Sequence, residues 1–134
     1  MIRNVDISDK NTAEVYKNAI NRDLEKAEQL KEGTKFDGDK TRFDLFPPEA
    51  LDGIGKILTY GAKKYEDRNW EKGIKWGRVF AAMMRHAWAW WRGEDKDPES
   101  GYSHLWHVGC CVMFLIAYEA RNMVEFDDRP KGNS

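Results

Sequence analysis

An uncharged apolar run at residues 108–118 is the feature that most constrains this chain. It is far shorter than the roughly 20 residues of a membrane-spanning helix, so we expect it to be buried inside a folded domain. Apolar residues recur at intervals of three and four within 48–65 and 77–92, which indicates two helices able to cover it. Residues 9–31 carry a thinner apolar stripe, typical of an outer helix or a mobile arm. Because no alternating strand pattern occurs, we predict an all-α bundle of about four helices, with the last, at 103–124, at its centre.

Length and charge narrow the class of protein. A chain of 134 residues is large enough for one core and too short for two. Its formal net charge of −1 argues against a nucleic-acid-binding protein, which would carry a basic excess. The first ten residues lack the apolar centre of an export signal, and the adjacent Cys110 and Cys111 cannot readily pair with each other on a helix. We therefore expect a cytoplasmic protein with no membrane partner and no stable nucleic-acid partner.

The chain divides into three predicted segments. Residues 1–34 are expected to form the polar helix or arm, residues 35–124 the helical domain, and residues 125–134 a loose tail. The domain carries six tryptophans and the apolar run, more than the thin stripe of the first helix can cover. We therefore expect a homo-oligomer, a dimer or a tetramer, built through the helices.

All three histidines lie close to an acidic loop. The histidines are His86, His104 and His107, and the four carboxylates are Glu94, Asp95, Asp97 and Glu99. Imidazole and carboxylate groups are ligands of divalent cations, and the glycines and proline of the loop allow it to fold back toward the histidines. His104 and His107 share one helical face, and His86 and Glu94 can face one cavity if their helix continues. A solvated connector beside hydrogen-bonded histidines is the alternative interpretation.

Three cations, Lys35, Lys40 and Arg42, precede the second predicted helix. A turn signal lies among them, and the segment leads into Pro47 and Pro48, of which the second suits the first turn of a helix. Guanidinium and ammonium groups at such a place suit phosphate oxygens. Ordinary solvent-facing charge explains the same residues.

The link between the second and third helices is rich in aromatic side chains. It carries Tyr65, Asn69, Trp70 and Trp76 among charges and glycines. Aromatic rings can stack on a nucleic base whose edge an amide reads. The same residues can instead close one end of a helix bundle, and composition alone favours that second interpretation.

Several motifs in a fixed order carry a family resemblance. They are K-x-D-x-x-K-x-R-F-D-L-x-P-P-E-A-L at 35–51, L-x-Y-G-A-K-K-Y at 58–65, N-W at 69–70, R-H-x-x-A-W at 85–90, G-E-x-x-D-x-E-S-G at 93–101 and H-L-x-H at 104–107. Together they resemble the phage and bacterial dATP/dGTP diphosphohydrolase domain over most of the chain. One departure is Cys111, which stands where that family often has an asparagine.

The resemblance implies hydrolysis of dATP or dGTP to the monophosphate and pyrophosphate. It implies assistance by a divalent metal, Mg²⁺ foremost, with Mn²⁺ or Zn²⁺ as alternatives, and the helical architecture of MazG-like nucleotide pyrophosphohydrolases. A purine deoxynucleotide would be the partner, and a bacterial cell or a phage-infected host the setting. A non-enzymatic nucleotide-binding or sequestering protein, such as a phage counter-defence factor, and a purely structural helical module stay open.

Cleavage between the α and β phosphates needs charge neutralisation and a positioned water, which metal-bound carboxylates and cations supply. The metal-site candidates are Glu94, Asp97, Glu99, His104 and His107, with one carboxylate left free to activate water and His86 as a further base or ligand. The phosphate candidates are Lys35, Lys40, Arg42, Lys64 and Arg85. The base-side candidates are Tyr65, Asn69 and Trp70.

Overall fold

A computed structural model describes residues 10–29 and 32–132, apart from the side chains of residues 27–29. Within these residues the fold is all-helical, with an isolated bridge between Lys96 and Ser103 and no strand. The helices are α1 (Lys10–Gln29), α2 (Pro48–Lys64), α3 (Trp76–Trp91) and α4 (His104–Ala120). Across the described part of the chain, none of these helices combines the length and the apolar character needed to cross a membrane. The predicted all-α class and the four helices are confirmed.

The chain divides into two compact units, with the boundary between Thr41 and Arg42. In the first unit α1 exposes three residues of the apolar stripe expected from the sequence, Val15, Ile20 and Leu24. Residues 9, 30 and 31 of that predicted helix lie outside the described residues. The domain boundaries drawn from the sequence at 34 and 124 stay predictions.

Helix α4 is the centre of the second unit, because it packs against both α2 and α3. The core at one end is formed by Trp76 and Val79 of α3 with Tyr118 of α4, whose side chain is fully buried. The Tyr118 hydroxyl donates to the Trp70 carbonyl at 2.7 Å, and the Trp70 ring stacks on Phe114. Two of the link aromatics, Trp70 and Trp76, thus pack at this end of the bundle, as the second interpretation had it.

Two glycines allow α2 and α4 to pack closely. The Trp106 indole lies where a Cβ on Gly53 would be, at 2.6 Å, and Ile54 lies 2.8 Å from the corresponding position on Gly109. A larger side chain at either position would force the two helices apart or displace the ring. The distance between α2 and α4 therefore depends on these two residues.

Helix α4 ends earlier than predicted, because Asn122 adopts a positive φ of 54° that no helix continues through. The chain then turns back over the start of α3. The Phe126 ring covers Gly73, and the Asp128 carboxylate accepts a hydrogen bond from the Gly77 amide at 2.7 Å, so it caps a helix that has no acidic residue in its first turn. The expected loose attachment does not extend to these residues.

A pair of alanine substitutions in α2 tests the helix contact. We expect Gly53→Ala to lower the free energy of unfolding by about 1–3 kcal/mol, because the new methyl displaces the Trp106 indole. Gly55→Ala, where nothing lies within 4 Å, should instead raise it by roughly 0.5–1 kcal/mol through the reduced entropy of the unfolded chain. Urea titration followed by circular dichroism measures both. Equal effects of the two substitutions would contradict the close packing at Gly53.

Candidate active site

A cavity of about 800 Å³ opens between α2 and α3, with α4 as its floor. Its volume is that of a typical small-molecule site. Helix α3 contributes Arg85 and His86, and α4 contributes His104, His107 and Cys111. Asp97 and Glu99 reach it from the acidic loop. The three histidines and part of the acidic loop thus meet in one cavity.

The three histidines form a single cluster in this cavity. His86 Nδ1 lies 2.8 Å from His104 Nδ1, and the His86 ring stacks face to face on His107 with centroids 4.3 Å apart and planes within 5°. His104 is buried, with 4% of its surface exposed. The predicted shared face of His104 and His107 is therefore confirmed, and α3 supplies the third imidazole.

Backbone hydrogen bonds fold the acidic loop back on α4. The His104 amide donates to the Asp95 carbonyl at 2.9 Å, and the Asp97 amide donates to the Tyr102 carbonyl at 2.8 Å. Gly93 and Gly101 turn the chain with φ of 100° and 75°, values that residues with a side chain rarely adopt. The glycines thus fold the loop toward the histidines, as predicted from the sequence.

The carboxylates of the loop have different partners. Glu94 accepts a hydrogen bond from His104 Nε2 at 2.7 Å, and Glu99 accepts one from Lys64 Nζ at 2.7 Å. Asp97 lies close to all three imidazoles, since one oxygen is 3.5 Å from His107 Nε2 and one falls within 4.8 Å of ligand atoms of His86 and His104. The Ser100 hydroxyl contacts His107 Nε2 at 2.7 Å. Spacing in the sequence could not distinguish these roles.

Burial and local hydrogen bonds set the charge of the cluster. Burial lowers the pKa of His86 and of His107 below the ordinary histidine value, so both imidazoles are neutral at neutral pH. Burial acts to raise the pKa of Asp97, but hydrogen bonds from Ser100 and from the Glu99 amide outweigh it and leave that pKa below its usual range. A neutral imidazole beside an ionised carboxylate is the state in which both groups bind metal ions.

Burial keeps the two thiols of α4 protonated. Burial raises the pKa of Cys110 to about 12 and raises that of Cys111 as well. Both cysteines are free, and both line the cavity as protonated thiols. Cys111 therefore presents a weakly polar, uncharged surface to whatever the cavity binds.

Most candidates for substrate contacts reach the same cavity. Lys64, Tyr65, Asn69 and Trp70 line it together with Arg85. Arg42 is instead held by Asp44 through two hydrogen bonds of 2.7 Å, with both side chains exposed and away from the cavity lining. Lys35 and Lys40 belong to the first unit, where both are exposed. Phosphate binding by these three cations stays a prediction.

Sequence analysis missed two groups of the cavity region. Arg68 lines the cavity and has a positive φ of 57°, a conformation uncommon for a residue with a side chain and worth attention at a functional site. No periodicity indicates such a conformation. Ser100, the partner of His107, lies within the E-S-G motif, which was the available signal.

Comparison with known proteins agrees with the motifs. The sequence model of a family described as dATP/dGTP diphosphohydrolase, N-terminal, matches residues 30–129, which include every residue that lines the cavity. A dATP/dGTP diphosphohydrolase of Salmonella phage PMBT28 is 32% identical over 97 residues, which are 72% of this chain and 33% of that protein. The chain thus spans about a third of the length of this curated relative. No solved structure matches at a comparable level of significance.

Alkylation of single-cysteine variants tests the burial of the thiols. In Cys111→Ala, the remaining Cys110 should react with iodoacetamide about a thousandfold more slowly in the native protein than in urea, because a rise in pKa from 9.0 to about 12 removes the thiolate. Mass spectrometry of timed samples gives the rate, and Cys110→Ala reports Cys111 under the same conditions. A native rate equal to the rate in urea would show that Cys110 is accessible.

Proposed function

The chain belongs to the family of dATP/dGTP diphosphohydrolase N-terminal domains, and we propose that it hydrolyses a purine deoxynucleoside triphosphate to the monophosphate and pyrophosphate. The observation that carries this proposal is a single cavity lined by three imidazoles and Asp97 together with Lys64 and Arg85. A triphosphate needs both kinds of group, cations for its oxygens and a metal-ligating cluster near the bond that breaks.

The cations of the cavity are assigned to the phosphates. Arg85 and Arg68 present planar guanidinium groups, which bind two phosphate oxygens at once, and Lys64 adds a point charge at the end of α2. Lys64 and Arg85 lie on the walls formed by α2 and α3, and Arg68 lies on the link after α2. A triphosphate between them would have its charge neutralised from both sides.

We assign binding of the purine base to the rim of the cavity, which the link after α2 forms. Trp70 already contacts Phe114 and Arg121 with its ring, which leaves less of the indole available for stacking. Tyr65 is 65% exposed and lines the same cavity, so it is the better platform for a purine. Asn69, half-buried beside it, supplies an amide that donates and accepts hydrogen bonds at a base edge.

A divalent metal fits the imidazole and carboxylate donors of the cluster and, when bound, would neutralise charge and acidify a water molecule. Asp97 and His104 would hold it. Glu99 accepts a hydrogen bond from Lys64 and is not assigned to the metal. It is therefore the carboxylate that would orient and deprotonate the attacking water. Displacement of Lys64 by substrate phosphate would release that carboxylate.

Product analysis tests the activity. We expect incubation with dATP or dGTP and a divalent metal to yield the monophosphate and pyrophosphate, as resolved by anion-exchange chromatography. Glu99→Gln should lower kcat by ~10²–10⁴-fold, because the amide cannot accept the proton of water. Asp95→Asn, in the same loop but away from the cavity lining, is the matched control and should keep the activity.

Two results would count against hydrolysis in this form. Recovery of every nucleotide unchanged despite binding would favour the sequestering protein. Full activity in Glu99→Gln would mean that a group other than Glu99 deprotonates the attacking water.

We also propose that the chain assembles as a dimer or a tetramer through α3 and α4. Phe80, Met84, Trp88 and Trp91 form an exposed stripe on α3, and Ile116 is exposed on α4. A contiguous apolar face of this kind is costly to leave in water and suits a second copy of the same chain.

Light scattering after size exclusion tests the assembly. We expect a mass at least twice the 15.6 kDa of one chain. The double substitution Met84→Lys and Trp88→Lys should dissociate the assembly, because it puts charges into the apolar face, while circular dichroism reports whether each chain stays helical. A wild-type mass near that of one chain would exclude the oligomer.

A further inference from the structure

We propose that His86, Asp97 and His104 form a binding site for a divalent first-row transition ion, selected over Mg²⁺, and that Glu94 is not a ligand but positions His104. The proposal rests on the proposed function for what the ion does in the reaction. Where the ion binds rests on side-chain geometry alone.

The three side chains converge from separate elements. His86 comes from α3, Asp97 from the acidic loop and His104 from the first turn of α4, yet one ligand atom of each lies within 4.8 Å of the others. His104 is buried, and the other two are half-buried, so the site is shielded from bulk water. Convergence of this kind is what a metal-ion site requires.

The contact between the two imidazoles is informative. His86 Nδ1 and His104 Nδ1 are 2.8 Å apart, so at most one of the two nitrogens can carry a proton there. A divalent cation can take the place of that proton, because each neutral ring can then present a lone pair. The two Nδ1 atoms are therefore placed as a pair of metal ligands would be.

Glu94 decides which nitrogen of His104 is available. A carboxylate only accepts, so the hydrogen bond of 2.7 Å from His104 Nε2 to Glu94 places the ring proton on Nε2 and the lone pair on Nδ1. A carboxylate on the far nitrogen of a metal-bound histidine is a recurrent way to fix the tautomer and the ring plane. Glu94 is therefore a positioning residue.

His107 has a different task from the one that its sequence spacing predicts. Its Nε2 is engaged by the Ser100 hydroxyl at 2.7 Å, and its ring lies flat against His86. Both contacts orient imidazoles around the site. The ligand set is then two nitrogens and one carboxylate oxygen.

This donor set selects a class of ion. Mg²⁺ takes oxygen ligands in a near-octahedral shell, whereas imidazole nitrogen suits zinc, cobalt, nickel and iron. Two histidines and one carboxylate are also the protein ligands of several catalytic zinc sites, in which the remaining position takes water or substrate. We therefore infer that Zn²⁺ or Co²⁺ binds here far more tightly than Mg²⁺.

Cobalt titration without nucleotide tests the site. The full-length protein, stripped of metal with a chelator, should bind one Co²⁺ per chain with visible ligand-field bands that Zn²⁺ removes and millimolar Mg²⁺ does not. His86→Ala should weaken Co²⁺ binding by about a hundredfold or more, and Glu94→Ala by about 10- to 100-fold. Glu94→Gln, which keeps an acceptor for His104 Nε2, should lose less than Glu94→Ala.

His107→Ala is the matched control, because it removes a neighbouring histidine outside the ligand set. It should retain Co²⁺ affinity within about tenfold of wild type, as expected for a neighbour that only orients a ligand. Circular dichroism of each metal-free variant confirms that the helices are intact. Equal loss in His86→Ala and His107→Ala, or displacement of Co²⁺ by Mg²⁺, would overturn the proposed site.

The two proposals fail differently. If Co²⁺ binds as stated and no deoxynucleoside triphosphate is cleaved, the metal site stands and the proposed hydrolysis falls. If His86→Ala cleaves substrate at the wild-type rate with Mg²⁺ as the only metal, the hydrolysis stands and the metal site falls.

Discussion

The position of α4 between α2 and α3 is the constraint on which the cavity depends. The Gly53 and Gly109 contacts set how near α2 lies, and Tyr118 with the α3 core fixes the other side. The walls of the cavity are therefore two helices that meet through a third. A change in either contact would alter the distance between Lys64 on one wall and Arg85 on the other, although neither residue touches the contacts themselves.

The sequence predicted the helices well, because amphipathic periodicity is a local property and the apolar run at 108–118 has few other ways to be buried. The end of α4 was predicted too late, since Asn122 stops the helix through its own backbone conformation. The meeting of His86 with His104 could only be anticipated as a shared cavity. Which carboxylate reaches which nitrogen depends on the path of the loop, and the backbone bond from His104 to Asp95 sets that path.

The acidic loop holds its shape without strong ion pairs. The bond between Lys64 and Glu99 joins two exposed side chains and adds little stability, since solvent screens it. Backbone hydrogen bonds and the turns at Gly93 and Gly101 hold the loop instead. The Asp97 carboxylate also accepts bonds from the Glu99 and Ser100 amides of the loop, whereas Glu94 and Glu99 bond to His104 and Lys64 outside it.

The Asp128 cap on α3 indicates that the helical domain needs residues beyond the end of α4. Helix α4 is the last long helix, but the residues after it belong to the bundle as well. Phe126 covers Gly73, and Asp128 accepts a hydrogen bond from the first turn of α3. The match to the family ends at Arg129, whose guanidinium lies over the Trp76 ring at the start of α3. The family match thus includes the residue that caps α3, and a gene fragment stopped at the end of α4 would encode four helices, with α3 left uncapped.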